Sequence, residues 1–201
     1  MISIVDYNMG NICSVTNALD YLSISYQVIT TPAEVLAAER LLLPGVGGFS
    51  EGIRELESTG LGKAICEHVS THDVPLLGIC LGMQLLAEQG EEGGKTAGLG
   101  LIPGVVKKMM AVNGHKIPHV GWEGINKSQQ SRLLSHITSD MDFYFVHSYH
   151  FDCPESYASA TVDHGGKYVA AVENGNIFGV QFHPEKSQHQ GLSIIKRFSE
   201  I

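Results

Sequence analysis

The sequence predicts an α/β fold with a mixed, mostly parallel central sheet and helices on both faces. Short apolar segments alternate with segments of helical periodicity through the first half of the chain. The strand-like segments there are apolar along their whole length, as in parallel strands buried on both faces. In the second half, Gly-, Asn- and Asp-rich turns join successive strand-like segments, which predicts added antiparallel strands.

The first half supplies the alternating elements. Ile2 to Val5 is a short apolar run typical of a buried strand, and apolar residues then recur at helical spacing from Ile12 to Leu22. Further strands are predicted at 26–30, 40–43 and 75–79, and helices at 51–57, 61–71 and 81–88.

The second half supplies the antiparallel strands. They are predicted at 105–109, 143–147, 158–162, 168–172 and 177–182. Asn174-Gly175 favours a hairpin turn because both residues accept positive φ cheaply. A last helix is predicted at 190–198. The chain has 201 residues and no evident repeat or linker, so we expect residues 1–201 to form a single domain.

Composition excludes several classes of function. The formal net charge is −8 and the 13 basic residues are scattered, which argues against a nucleic-acid partner. The start has no signal-peptide pattern, and no stretch reaches the roughly 18 apolar residues of a membrane span. Cys13, Cys66, Cys80 and Cys153 form no C-x-x-C pair, so we expect free thiols and a cytoplasmic location.

The segment Gly78-Ile79-Cys80-Leu81-Gly82 is typical of a nucleophile on a tight strand-to-helix turn. Such a turn crowds the backbone and therefore needs small neighbours. Unpaired N–H groups at a helix start also favour the thiolate, the reactive form of cysteine. The alternative is a small buried cysteine between two packing glycines, and this segment alone does not decide between the two.

A second motif, residues 179–185, favours catalysis. Its apolar strand delivers His183 to a carboxyl end, where open α/β sheets hold their active sites. Pro184 keeps His183 extended, so Glu185 projects to the same side and can orient the ring. A lone histidine is more often structural, but together with Cys80 the pattern indicates a Cys-His-Glu hydrolase.

Two further motifs carry less information. Residues 44–47, Pro-Gly-Val-Gly, can turn backbone N–H groups towards an oxyanion, although a simple tight turn also explains them. Residues 147–150, His-Ser-Tyr-His, have no carboxylate or cysteine at ligand spacing. We therefore predict no metal site and no cofactor.

These motifs, in this order and over the whole chain, resemble the class I, or triad, glutamine amidotransferases. The resemblance implies their three-layer sandwich. Within the class, the chain is similar to the glutaminase subunits of imidazole glycerol phosphate synthase, which make ammonia for a step of histidine biosynthesis. Residues 6–11, 91–93, 98–102 and 118–122 carry that finer similarity.

The resemblance also implies roles for individual residues. Cys80 would be the nucleophile, His183 the general base and then acid, and Glu185 the residue that orients His183. The oxyanion would be held by Gly45, Val46, Gly47 and the N–H of Leu81. Glutamine would be held by Gln84, Ser148 and Tyr149.

The implied partner is the cyclase subunit, which forms a heterodimer with the glutaminase and produces imidazole glycerol phosphate and an aminoimidazole carboxamide ribotide. Residues 6–11 and 116–122 would lie towards this partner. The chain departs from the subgroup at Asn8, where Gly is commoner, and at Glu123, where Asn is usual.

Three other functions stay open. The chain could be the glutaminase of another pathway, such as anthranilate or pyridoxal phosphate synthesis, in which case a different synthase would co-purify. A stand-alone γ-glutamyl hydrolase would work at full rate without a partner. A non-catalytic interaction subunit would not hydrolyse glutamine, and the intact Cys80, His183 and Glu185 favour this function least.

Overall fold

A computed structural model describes residues 1–110, 114–128 and 130–201. The helices are α1 (Ile12–Tyr21), α2 (Pro32–Leu36), α3 (Phe49–Ser58), α4 (Leu61–His72), α5 (Leu81–Leu85) and α6 (Gln188–Glu200). The strands are β1 (Ile2–Val5), β2 (Tyr26–Ile29), β3 (Leu41–Gly45), β4 (Leu76–Cys80), β5 (Gln89–Gly90), β6 (Thr96–Ala97), β7 (Val105–Lys108), β8 (His119–Gly124), β9 (Asn126–Lys127), β10 (Asp142–His147), β11 (Tyr149–Asp152), β12 (Ala158–Asp163), β13 (Lys167–Asn174) and β14 (Ile177–Val180).

The main sheet has the order β2-β1-β3-β4-β14-β13-β12-β9 within the described residues. Neighbours from β2 through β14 are parallel, and those from β14 through β9 are antiparallel. The predicted hairpin between β13 and β14 is present, with Gly175 at φ 58°. The mixed, mostly parallel sheet is therefore confirmed.

Helices cover both faces of this sheet because its strands are apolar on both sides. Ile2 and Ile4 of β1 belong to a core with residues of α1 and α6. Val5, on the opposite side, belongs to a second core with residues of α3 and α4. None of the helices in the described part of the chain is long and apolar enough to cross a membrane.

The prediction missed several short elements. Strand β8 pairs with β10 in a separate two-stranded sheet, and β11 pairs with β7 in another small sheet. Gly121 and Gly124 weaken the strand signal of β8, so pairing with β10 rather than propensity determines its conformation. Helix α5 ends at Leu85, not at the predicted residue 88, because the chain turns there towards β5.

Candidate active site

Cys80 occupies a strained turn between β4 and α5. Its φ of 54° and ψ of −109° are rare for a residue with a side chain. A Cβ at Gly82 would overlap the carbonyl oxygen of Leu43, and one at Gly78 would lie 2.6 Å from the Gly82 oxygen. The two glycines are therefore a steric requirement of the turn that presents Cys80.

His183 is held beside this turn by backbone and side-chain contacts. Its N–H donates to the carbonyl of Tyr144 at 2.9 Å. Its Nδ1 donates to Oε1 of Glu185 at 2.8 Å, and both side chains are almost completely buried. The extended segment after β14 thus brings the histidine and the carboxylate together as their spacing predicts.

The environment of His183 favours its charged form. Burial lowers the pKa of the ring, but interactions with Cys80 and with Glu185 outweigh burial and raise the pKa to about 10. An imidazolium next to a cysteine stabilises the thiolate. The arrangement is therefore suited to nucleophilic attack by Cys80 and to protonation of a leaving group by His183.

A cleft of about 350 Å³ opens over Cys80. It brings together most of the side chains and loops expected at the site, while Glu185 lies behind His183 and Gly45 lies in β3 beside Cys80. The lining residues are Val46, Gly47, Cys80, Leu81, Gln84, Glu92, Pro118, Val146, His147, Ser148, Tyr149 and His183.

The predicted oxyanion donor Val46 points elsewhere in this structure. Its N–H donates to the carbonyl of Met9 at 2.7 Å, within the turn formed by residues 6–11. Gly47 follows at φ 103°, a conformation that suits glycine. Rotation of the peptide between Gly45 and Val46 would be needed to turn this N–H towards Cys80.

Gln181 is a site residue that the motif analysis did not single out. This fully buried side chain has its Nε2 3.8 Å from Sγ of Cys80, and its Oε1 accepts a hydrogen bond from Gln84 at 2.9 Å. Gln84 also donates to the carbonyl of Tyr149 at 3.1 Å. The sequence signal for Gln181 was its position two residues before His183 in an extended segment, because side chains two residues apart in such a segment project to the same side.

Tyr7 is a second residue that was not singled out. Its hydroxyl is buried and has no hydrogen-bond partner among the described residues. Burial and the charge of Cys80 raise the pKa of this phenol. Tyr7 therefore packs inside the protein although residues 6–11 as a whole were expected to face a partner.

A pair of histidines supports the far wall of the cleft. His147 donates from Nδ1 to the carbonyl of Tyr149 at 2.8 Å, and its Nε2 lies 3.1 Å from Nδ1 of His119. Burial lowers the pKa of His147 to about 4. It likewise lowers the pKa of His119 to about 4, so both rings are neutral at physiological pH.

Comparison with known proteins establishes the class of protein to which this fold and this site belong. The chain belongs to the glutamine amidotransferase class I family, whose model matches residues 3–200. A solved structure described as a glutamine amidotransferase has the same fold, with a TM-score of 0.78 at 18% identity, over 100% of this chain and 98% of that one.

Within this class the chain belongs to the family of imidazole glycerol phosphate synthase HisH subunits. It is 46% identical over 201 residues to that subunit of Moorella thermoacetica, covering 100% of this chain and 94% of the relative. It is 40% identical to the chloroplastic imidazole glycerol phosphate synthase hisHF of Arabidopsis thaliana, covering 98% of this chain and 34% of that longer protein.

Proposed function

We propose that the chain is the glutaminase subunit of an imidazole glycerol phosphate synthase, with Cys80, His183 and Glu185 as its catalytic triad. The observation that carries the proposal is the common placement of Cys80 and His183 in one cleft, with Glu185 bonded to the far side of the ring. Nucleophile, base and orienting carboxylate are the three parts that covalent amide hydrolysis requires.

The reaction follows from these positions. The Cys80 thiolate attacks the side-chain amide carbon of glutamine, and the resulting oxyanion is stabilised by backbone N–H groups. Protonated His183 gives its proton to the departing nitrogen, which leaves as ammonia and creates a thioester. His183 then removes a proton from water, the hydroxide attacks the thioester, and glutamate and the Cys80 thiol are released.

The proposal assigns the remaining cleft residues to the oxyanion and the substrate. Leu81 offers its N–H at the start of α5, and the 45–47 segment offers further donors once the Val46 peptide turns inward. Gln84, Ser148 and Tyr149 form the wall that would bind the amino-acid end of glutamine.

The proposed partner is a cyclase subunit that forms a heterodimer with this chain and consumes the ammonia. Val120, Trp122 and Val146 are exposed on the outer face of the β8–β10 sheet, close to the cleft. An exposed apolar cluster of this kind is suited to a protein interface. The Arabidopsis relative, a hisHF protein of which this chain matches one third, agrees with such a pairing.

The hydrogen bond from Val46 to Met9 favours a partner-dependent enzyme over a stand-alone hydrolase. While that bond persists, one expected oxyanion donor is withheld. A cyclase in contact with residues 6–11 could release Val46, and loss of one such donor typically costs about 100- to 1,000-fold in turnover. The partner would thereby couple glutamine hydrolysis to its own ligand.

The decisive experiment measures glutamate release by the chain alone, with a cyclase subunit, and with cyclase plus its nucleotide ligand. We expect turnover to rise by about 100-fold or more in the third mixture. Imidazole glycerol phosphate should form from glutamine there. Equal turnover in all three mixtures would favour the stand-alone hydrolase, and synthesis only with another synthase would assign the chain to another pathway.

Two further parts of the proposal concern the whole chain. We propose that residues 1–201 act as one domain, because both apolar cores pack against the same sheet. We also propose a cytoplasmic location, which suits the four free cysteines.

A further inference from the structure

Outside the Cys80 cleft, three metal-ligating side chains meet where β8 approaches the turn between β12 and β13. His119 and Glu123 lie on the inner face of β8, and His164 lies in that turn. One ligand atom of each residue lies within 4.8 Å of the other two.

The second ring nitrogen of His119 faces Glu123. The Tyr149 carbonyl can only accept, so the His147 ring donates to it from Nδ1. Nε2 of His147 lies 3.1 Å from Nδ1 of His119, so these two nitrogens are partners. Nε2 of His119 lies 3.3 Å from Oε2 of Glu123, and neither buried atom has a hydrogen-bond partner among the described residues.

A buried imidazole nitrogen and a carboxylate oxygen that face each other without a hydrogen bond are both able to bind a cation placed between them. His164 offers a hydrogen bond to only one of these two side chains. Its Nε2 donates to the Lys116 carbonyl at 3.0 Å, and its Nδ1 lies 3.0 Å from Oε1 of Glu123. A proton on His164 therefore balances the charge of Glu123 but leaves Nε2 of His119 without a partner.

We propose that His119, Glu123 and His164 bind one divalent transition-metal ion such as Zn²⁺. Two imidazoles and a carboxylate are a donor set that this class of ion prefers. Tetrahedral bonds of about 2.0–2.1 Å hold ligands roughly 3.4 Å apart, close to the 3.3 Å between His119 and Glu123. A water molecule would complete the coordination.

The outer partners of the two rings fit this role. A metal-bound imidazole normally donates its other N–H to a fixed acceptor, a role open to His147 for His119 and filled by the Lys116 carbonyl for His164. The His164 ring is stacked on His119 with centroids 3.9 Å apart, so it must tilt outward and release its proton to aim Nδ1 at the ion. Its position in a turn makes this movement feasible.

The bound ion would join two separate parts of the fold. Strand β8 belongs to the two-stranded sheet, whereas the β12–β13 turn belongs to the main sheet. The hydrogen bonds from His119 through His147 to Tyr149 also connect this position to the wall of the cleft. The proposal does not depend on the glutaminase function.

The test uses the untagged full chain carrying Cys80→Ser, so that neither a tag nor the active-site thiol competes for metal. Equilibrium dialysis against Zn²⁺, followed by elemental analysis, should give one ion per chain. Co²⁺ in its place should give absorption bands of nitrogen and oxygen ligation without a thiolate charge-transfer band. Zn²⁺ should also raise the melting temperature.

Glu123→Gln is the matched variant, because its amide can donate to His119 and still accept from His164. We expect Zn²⁺ affinity to fall by about 100-fold or more while the melting temperature in chelator is not lowered. His164→Asn should weaken binding similarly, and His189→Asn, at an exposed position, should not. Absence of bound Zn²⁺ in the parent chain, or equal binding by parent, Glu123→Gln and His164→Asn, would overturn the proposal.

Discussion

Two His–Glu pairs in this protein have the same residue types and differ in chemistry. His183 and Glu185 are two residues apart after β14, and His119 and Glu123 are four apart on β8. In the first pair, Nδ1 donates to the carboxylate at 2.8 Å. In the second, the ring faces the carboxylate across 3.3 Å without a hydrogen bond. The pKa of His183 is raised to about 10 and that of His119 is lowered to about 4.

The partner of the second ring nitrogen explains the difference. His183 has Cys80 as its other neighbour, and a thiol can supply the ring with a proton. His119 has His147 as its other neighbour, a ring whose pKa burial lowers to about 4 and which therefore does not supply a proton as a thiol does. Residue types alone therefore do not determine whether a His–Glu pair is suited to proton transfer or to binding a cation.

The largest expected effect tests the Cys80 side of the comparison. Cys80→Ser should reduce glutamine hydrolysis by at least about 1,000-fold, because a hydroxyl is a far weaker nucleophile than a thiolate. Ammonia-dependent synthesis by the complex with cyclase should continue. Cys13→Ser, at an exposed cysteine, is the matched control and should keep full activity. More than a trace of glutaminase activity in Cys80→Ser would contradict the assignment.

His183→Ala should have the next largest effect. Loss of the general acid and base is expected to reduce turnover by about 100- to 10,000-fold. Steady-state glutamate release with cyclase and its ligand present measures it. His119→Ala, at the other pair, should cost much less turnover because His119 does not line the cleft. Equal losses in the two variants would remove the functional distinction between the pairs.

Glu185→Gln should cost less than His183→Ala, since it disturbs the orientation of the ring and keeps the proton carrier. We expect turnover to fall by about 10- to 100-fold. The double variant should be little worse than His183→Ala alone, because residues that act as a unit give non-additive losses. Losses that multiply in the double variant would show that Glu185 acts independently of His183.

The same two pairs illustrate what sequence alone could predict. Cys80 and residues 179–185 were found because glycine neighbours and an extended spacing directly encode the turn and the pairing. The proximity of His119, Glu123 and His164 was not predicted. It depends on strand β8, which was missed because its two glycines weaken the strand pattern, and on a turn 41 residues beyond Glu123. The orientation of the Val46 N–H was equally hidden, since a peptide can rotate without any change in the sequence pattern.

Asn8 occupies a left-handed position of the 6–11 turn, where the sequence analysis expected Gly to be commoner. It adopts φ 66°, and its N–H donates to Oδ1 of Asp6 at 3.0 Å. Asparagine is one of the few residues with a side chain that tolerates this left-handed conformation. The 6–11 turn can therefore be formed with Asn, and not only Gly, at this position.

The smallest expected effect concerns the pH dependence of the free energy of unfolding. The region around His119 and His147 and the region around His183 should contribute to it with opposite signs. The folded-state pKa of His147, beside His119, is about 4, below its ordinary 6.5. The unfolded chain therefore binds more protons between these values, and stability is lost as pH falls from about 6.5 towards 4. Because of this one ring, the free energy of unfolding should fall by about 2 kcal/mol between pH 6.5 and pH 5. His183, whose pKa is raised to about 10, contributes stability below 6.5 that is lost only as pH rises towards 10.

Urea unfolding of the chain in chelator, at pH 7, 6 and 5, measures the effect of His147. His147→Asn removes the titrating ring and should flatten the acid slope by about one proton, whereas His189→Asn should leave it unchanged. An unchanged slope in His147→Asn would mean that this ring is not held neutral, and the distinction between the two regions would then rest on geometry alone.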